Sequence, residues 1–468
     1  MVAQRDVIVI GAGISGLACA HRLKQLGVDV LLIEKSDRVG GVIQSERIDG
    51  YLIERGPNSS QGTEDLMALV EELGLMNQIV EGDPKAPAYV YFNGRLHAVP
   101  SGAGAFIKSK LLSLRGKLRI FREPFVAVRR SDEEESVAAF ARRRIGREAA
   151  ERMVAPFVSG IYAGDAEKLS VQAAFPRLAN LETGYGGLFR GTIAKAREAK
   201  RAKKAASEVL DKAAPTRRRM ISFHDGMATL PRTLAAALGE DLMTSCKNIS
   251  LGGLDSGYKI SFERAGVPHQ LTCSNIIIAA PAFAAARLVS PVSEQLGELL
   301  DEISYPPLAV VSLSYDEAAI ETQLDGFGFL VAPVERMKIL GCVWNSSLFK
   351  GRAPEGKALL TVFVGGARAP ELAQLADDEL VSITHSELQR VLGISEEPQV
   401  VAITRYERSI PQYNLGHAAR VRKIESLLEE ISGLRLIGNY LHGVSTGDCI
   451  KEADCIAREV AGHPIHHS

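Results

Sequence analysis

The stretch DVIVIGAGISGLACAHRLKQLGVDVLLIEKS, residues 6–36, leaves few folds open. Val7, Ile8, Val9 and Ile10 form a short apolar run of the kind that is buried on both faces in a parallel sheet. Gly11-Ala12-Gly13-Ile14-Ser15-Gly16 follows at once. In such a run the first glycine permits the tight turn, the second lets the backbone approach a pyrophosphate, and the third lets the following helix pack close to the strand. Leu17, Ala20, Leu23 and Leu26 then recur on one helical face, Gly27 stops the helix, and Val28 to Ile33 make a second strand. Glu34 closes that strand, 23 residues after Gly11, where an acid can accept hydrogen bonds from ribose hydroxyls. A GxGxxG alone is weak, but strand, turn, helix and acid in this order predict a dinucleotide-binding α/β domain.

The chain then spends more glycine. Arg38-Val39-Gly40-Gly41 lies just past Glu34, a position from which a second loop returns over the pyrophosphate, where amides and a cation offset phosphate charge. Gly56-Pro57-Asn58-Ser59 opens a further loop, with Ser59, Ser60 or Thr63 as candidate helix caps. Lys35 and Val42 flank the first two loops and join the candidate contacts, as does Asn248.

Length alone, 468 residues, predicts two to three domains. A net charge of -1 argues against a nucleic-acid protein working through a positive field. The six cysteines have no metal spacing and fit free thiols in a reducing compartment. The first strand begins by Asp6, leaving no room for a targeting segment before it, and no window holds 18 uninterrupted apolar residues. No Ser/His/Asp set, HExxH, CxxC or paired-carboxylate motif stands out, so neither a catalytic side chain nor a metal site is assigned.

The run from GAGISGLACAHRL through IEKSDRVGGVIQS to the Gly-Pro at 56–57 resembles the FAD-binding flavoproteins that include monoamine oxidases, phytoene desaturases and protoporphyrinogen oxidases. PFVSGIYAGDAEKLSVQAAFPRL (156–178), LETGYGGL (181–188), SFHDGMATLP (222–231), NSSLFKGRAPEGKALLTVFVGGAR (345–368) and GNYLHGVSTGDCI (438–450) are similar, in chain order, to the protoporphyrinogen oxidase family. The resemblance implies non-covalent FAD, with Val444, Ser445 and Thr446 against the isoalloxazine, and Leu330 and Phe349 as apolar faces holding a porphyrinogen macrocycle. It implies six-electron oxidation of protoporphyrinogen IX in heme biosynthesis, by hydride transfer to flavin N5, with molecular oxygen reduced to peroxide. It also implies a cytoplasmic enzyme peripherally attached to an anionic membrane surface, with neighbouring heme-pathway enzymes as partners.

Two departures matter. Ala88 stands where relatives often carry an arginine for a propionate, which leaves Arg95, His97 and Lys350 as candidates and keeps coproporphyrinogen III open as substrate. Ala418 replaces an aromatic found after PQYNLGH in relatives. An amine- or polyene-oxidising flavoenzyme and a non-catalytic FAD-binding protein are the other readings.

The expected organisation is α/β. A discontinuous Rossmann-type FAD-binding domain takes residues 1–87, 221–300 and 412–468. A mainly helical, membrane-docking and substrate-lining segment takes 88–220, and a mixed-sheet substrate domain takes 301–411. Residues 101–130 carry eight cations against Glu123, interleaved with Phe106, Ile107, Leu111, Leu112, Leu114, Leu118, Ile120, Phe121 and Phe125, the composition of an interfacial helix. A second run, 195–219, has ten cations and three anions and reads either as a solvated loop or as a patch for phosphate headgroups. No nucleic-acid motif accompanies either run.

Overall fold

The computed structural model describes residues 3–131, 133–207 and 219–463. The chain divides into two compact units. One is assembled from Met1–Gly82, Met220–Ser304 and Ala419–Ser468, the other from Asp83–Arg219 and Tyr305–Ala418.

The first unit is built on a seven-stranded sheet. Its centre is parallel: Ala3–Ile10 lies between Val30–Ile33 and the C-terminal half of Val267–Ile278, whose Ile276 to Ile278 also pair with Leu434–Leu436. Tyr258–Arg264 and Lys247–Gly253 extend the sheet antiparallel. The runs HQLTCS and NIII, which read as separate strands, are one strand of 12 residues. Val267 to Cys273 pair with an antiparallel hairpin partner and Ser274 to Ile278 have only parallel neighbours, so the residue pattern changes midway while the backbone does not.

The helix Ile14–Gln25 packs against this sheet and against the C-terminal helix Thr446–Val460, joining Leu17, Ala20 and Leu23 to Ile450, Ala453 and Ala457 in one core. The helix ends at Leu26, with Gly27 at φ 78° as the sequence requires.

The second unit holds another seven-stranded sheet, in the order Gln399–Tyr406, Leu308–Asp316, Lys357–Gly365, Gly341–Trp344, Gly328–Val331, Ala88–Phe92, Arg95–Ala98. Residues 88–98, expected with the helical segment, are two of its strands, because Gly328 to Val331 pair parallel with Ala88 to Tyr91. One face buries Tyr91, Phe329, Val331, Cys342, Val362 and Val364 with Leu380, Leu388 and Leu392 of the helix Asp377–Leu392.

The remainder of that unit is helical from Ala103 to Ser207. Its pin is a buried ion pair between Glu123 and Arg144, both side chains fully inaccessible. Glu123 also accepts the Leu188 and Phe189 N–H groups at 2.8 and 3.1 Å, at the start of the helix Leu188–Ser207. Glu123, the lone acid of the 101–130 run, is therefore inside rather than on the surface.

Candidate functional site

The glycine loops of the first unit come together. Gly40 N–H donates to Ala12 O at 2.8 Å, and Ile43 N–H to Gly40 O at 2.9 Å, so the loop after Glu34 lies on the loop after the first strand. Gly11 sits at φ 109°, where a Cβ would meet Ala279 O at 3.0 Å, and a Cβ on Gly16 would lie 1.9 Å from Gly11 O. Over Gly13 there is open space: a Cβ there meets no protein atom within 4 Å, and one on Gly41 meets only Gly13 Cα, at 3.4 Å. Gly13 is the N-cap of Ile14–Gln25 and supplies no side-chain cap, and the Ile14, Ser15 and Gly16 amides lie at the positive end of the helix dipole, the arrangement that suits an anion. Arg38 stands at the rim, its Nη1 donating to Gly41 O at 2.9 Å.

Glu34 is fixed through both oxygens, Oε2 accepting from Ala12 N at 2.7 Å and Oε1 from Ser36 N at 2.8 Å. Beside it opens a cavity of about 620 Å³ lined by Lys35, Asp37, Thr244, Ser245, Lys247, Glu263 and Arg264. Asn248 does not line it; its Nδ2 donates to Glu263 Oε2 at 3.2 Å. The segment that reaches Glu34 is Ser245-Cys246, with Cys246 N–H donating to Glu34 O at 2.9 Å and Ser245 at φ 60°, a local twist no residue pattern announces.

The third glycine loop is pinned from below. A Cβ on Gly56 would lie 2.0 Å from Val42 O. Buried Glu54 accepts from Ser45 Oγ at 2.6 Å and from Met227 N at 2.9 Å, fastening the hairpin between the loops to the turn before the helix Thr229–Leu238. Thr63 caps the helix Glu64–Glu72, and a Cβ on Gly447 would lie 2.6 Å from Thr63 Oγ1. The helix that follows the loop at residues 56–59 and the helix that follows Val444 and Ser445 thus approach each other at their starts. Ser445 and Asp448 form a capping box: Asp448 N donates to Ser445 Oγ at 3.1 Å and Ser445 N to Asp448 Oδ2 at 3.3 Å. The Ser445 amide is thereby engaged within the chain. The S-x-x-D spacing is the signal of this cap in the sequence, with Asp448 as its acid.

In the second unit, Leu330 lies on the sheet face opposite the Asp377–Leu392 helix. The register sets His97, Val90, Leu330, Gly341, Phe363 and Val310 in one row across the strands. Gly160 and Gly341 make space for Leu330: a Cβ on either would come within 2.4 and 3.1 Å of Leu330 Cδ2. Phe349 is only 2 % exposed, with the Arg352 guanidinium 5.3 Å from its ring centre. His97 bonds Phe92 O through Nε2 at 3.0 Å, whereas Lys350 is exposed beyond Phe349.

The same unit carries an exposed apolar stripe. On the helix Leu114–Phe121, Gly116 and Ile120 face inward, and Leu114, Leu118 and Phe121 face outward beside Ile107 and Phe125, the last 85 % exposed. Lys108, Lys110, Arg115 and Arg122 are exposed around them. Phe189 and Ile193 are also exposed, at the start of the helix that enters the second basic run. Residues 208–218 of that run lie outside the described residues. Among the described residues no helix is long and apolar enough to cross a membrane, and no His, Cys, Asp and Glu group could hold a metal.

Residues 14–461 match the model of the flavin containing amine oxidoreductase family. The chain belongs to that family. FAD is accordingly its cofactor, and it is an oxidoreductase. It is 34 % identical to a chloroplastic protoporphyrinogen oxidase of Nicotiana tabacum, over 98 % of this chain and 86 % of that one. It is 31 % identical to a coproporphyrinogen III oxidase of Bacillus subtilis, over 96 % of each. Among solved structures the same fold occurs in cyclohexylamine oxidase from Brevibacterium oxydans, with TM-score 0.66, 17 % identity and 98 and 99 % of the two chains covered.

Proposed function

We propose that this chain is an oxygen-dependent, FAD-linked porphyrinogen oxidase of heme biosynthesis that converts protoporphyrinogen IX to protoporphyrin IX. The supporting observation is its similarity, over 96 to 98 % of its length, to relatives named for porphyrinogen oxidation. Bound FAD supplies acceptance of a hydride from a methylene bridge, and three such rounds remove six electrons, with oxygen leaving as peroxide.

The protein's part is binding and orientation. The Ile14, Ser15 and Gly16 amides with Arg38 offset pyrophosphate charge, and Glu34 takes ribose hydroxyls through its remaining lone pairs. The Val444 to Thr446 turn, at the positive end of the Thr446–Val460 helix, receives the flavin edge where reduction adds electron density. Leu330, a half-buried member of its row, is the apolar face that holds the macrocycle flat. His97 lies two strands from Leu330 on the same face, roughly 10 Å away, and with Arg95 it answers for a carboxylate in place of Ala88. A cation and a hydrogen-bonding imidazole at that edge suit either substrate, so coproporphyrinogen III oxidation is the second reading.

The stripe of Leu114, Leu118, Phe121 and Phe125 with its ring of cations fits peripheral docking on an anionic membrane. The inward turn of Glu123 leaves no carboxylate of the 101–130 run to repel the headgroups.

The deciding experiment mixes yellow protein anaerobically with protoporphyrinogen IX or coproporphyrinogen III, follows flavin bleaching, then admits air and records porphyrin fluorescence. Bleaching and turnover with one substrate identify it; no bleaching with either overturns the proposal.

A further inference from the structure

The segment between Leu434–Leu436 and the C-terminal helix, which carries Val444 to Thr446, is tied at both ends by carboxylates of that helix. At its far end Asp448 closes the capping box with Ser445. At its near end Gly438 N–H donates to Glu452 Oε2 at 2.9 Å. Gly438 is at φ 155°, and a Cβ there would press on the Tyr440 ring at 2.8 Å, so the turn tolerates little rearrangement. The other oxygen, Glu452 Oε1, faces His442 Nε2 of the same segment at 3.9 Å, and His442 in turn lies 3.2 Å from Glu425 Oε1. The Glu452 side chain is 14 % exposed.

We infer that Glu452 is a positioning residue for the cofactor-holding turn, and that its charge tunes the electron affinity of the flavin held there. The inference rests on the proposed seating of the flavin against Val444 to Thr446. Burial, opposed by the Gly438 N–H and reinforced by the Asp448 and Glu425 carboxylates, pushes the Glu452 carboxyl up to about 7. The other groups that face it are His442 and, on the two packed helices, the Cys19, Cys449 and Cys455 thiols, each pushed up chiefly by burial with the Glu452 charge adding to it. A carboxyl here changes charge within the physiological range, nearly two turns along the helix whose positive N-terminal end favours electron density. Ionised, it opposes that density and takes the Gly438 N–H as a stronger, charge-assisted bond. Neutral, it does neither.

The test is the midpoint potential of the bound flavin at pH 6 and pH 8 in wild type, Glu452→Gln and His442→Gln. Glutamine keeps an acceptor for Gly438 N–H without the charge, so the variant is expected to fold; thermal melting checks this. Wild type and Glu452→Gln should coincide at pH 6, and wild type should lie lower at pH 8. Coincidence at both pH values overturns the inference while leaving the flavin reading intact. A pH-dependent offset that survives in Glu452→Gln and vanishes in His442→Gln also overturns it, assigning the proton to His442. Protein that retains no FAD overturns the flavin reading and this inference with it.

Discussion

Replacing Glu123 by leucine should unfold the second unit at markedly lower denaturant. In the native state Arg144 is wholly buried, and beyond Glu123 its guanidinium meets Val126 O at 3.0 Å, Gly186 O at 3.4 Å and Glu182 Oε1 at 3.5 Å. Burial works against the Glu182 charge, but Arg143 and the Arg129 amide overcome it and hold that carboxyl below its usual range, so it stays ionised and shares itself between two arginines. Glu182 is therefore a partial substitute for Glu123, not a full one. Stripping one partner from a buried pair costs about 3–5 kcal/mol, and the residual contacts place Glu123→Leu near the lower end, at about 3 kcal/mol. Removing both charges, Glu123→Leu with Arg144→Met, should return most of that loss, because no uncompensated ion is left inside. The assay is built in. The chain has a single tryptophan, Trp344, fully buried in the sheet of the same unit, so its fluorescence in urea reports this unit directly. A Glu123→Leu protein within about 1 kcal/mol of wild type, or a double variant no better than the single one, would falsify the view of this pair as the unit's pin.

Two glycine variants should part company: Gly13→Ala folds normally but purifies without FAD, since its methyl group enters space empty of protein, whereas Gly16→Ala, 1.9 Å from Gly11 O, loses both stability and FAD in thermal melts and absorbance spectra. The raised Glu452 carboxyl means that the folded chain binds this proton more tightly than the unfolded one, so its contribution is present at low pH and is lost as pH rises from about 4.5 to about 7. Glu452→Gln should therefore gain on wild type with rising pH, by at most about 3 kcal/mol at pH 8, and equal melting curves at pH 6 and 8 would count against it. Phe125→Glu with Leu118→Glu should cut co-sedimentation with phosphatidylserine vesicles without changing FAD content. His97→Ala should raise KM for the porphyrinogen with little change in kcat, and a fall in kcat alone would remove His97 from carboxylate recognition.

What was legible in the sequence was chiefly local. Gly11 to Gly16 and Arg38 to Gly41 announce turns because only glycine takes those backbone angles or tolerates those approaches, and the apolar runs PLAVVSLSY and ALLTVFVGG mark buried strands on their own. What stayed hidden depends on partners far along the chain. Ala88 to Ala98 join a sheet through strand Gly328–Val331, some 240 residues away, and nothing within 88–98 says so. Glu123 reads as surface charge until Arg144 and the Leu188 and Phe189 amides are seen around it. The turn at Ser245 and Cys246 that reaches Glu34 is equally hidden, because a positive φ at a serine leaves no mark in the residue pattern. Glu452 leaves no mark in the sequence because burial, not spacing, makes it unusual.

The pairing of Ala3–Ile10 with Val267–Ile278, and of that strand with Leu434–Leu436, also sets a timetable for biosynthesis. At roughly 5–20 residues per second on the ribosome, the first strand emerges roughly 15 to 50 s before its central partner. The turn proposed to seat the flavin emerges later still. Flavin capture is thus a closing event of maturation, and a nascent chain stalled short of Leu434 should bind no FAD however much of its helical segment has already formed.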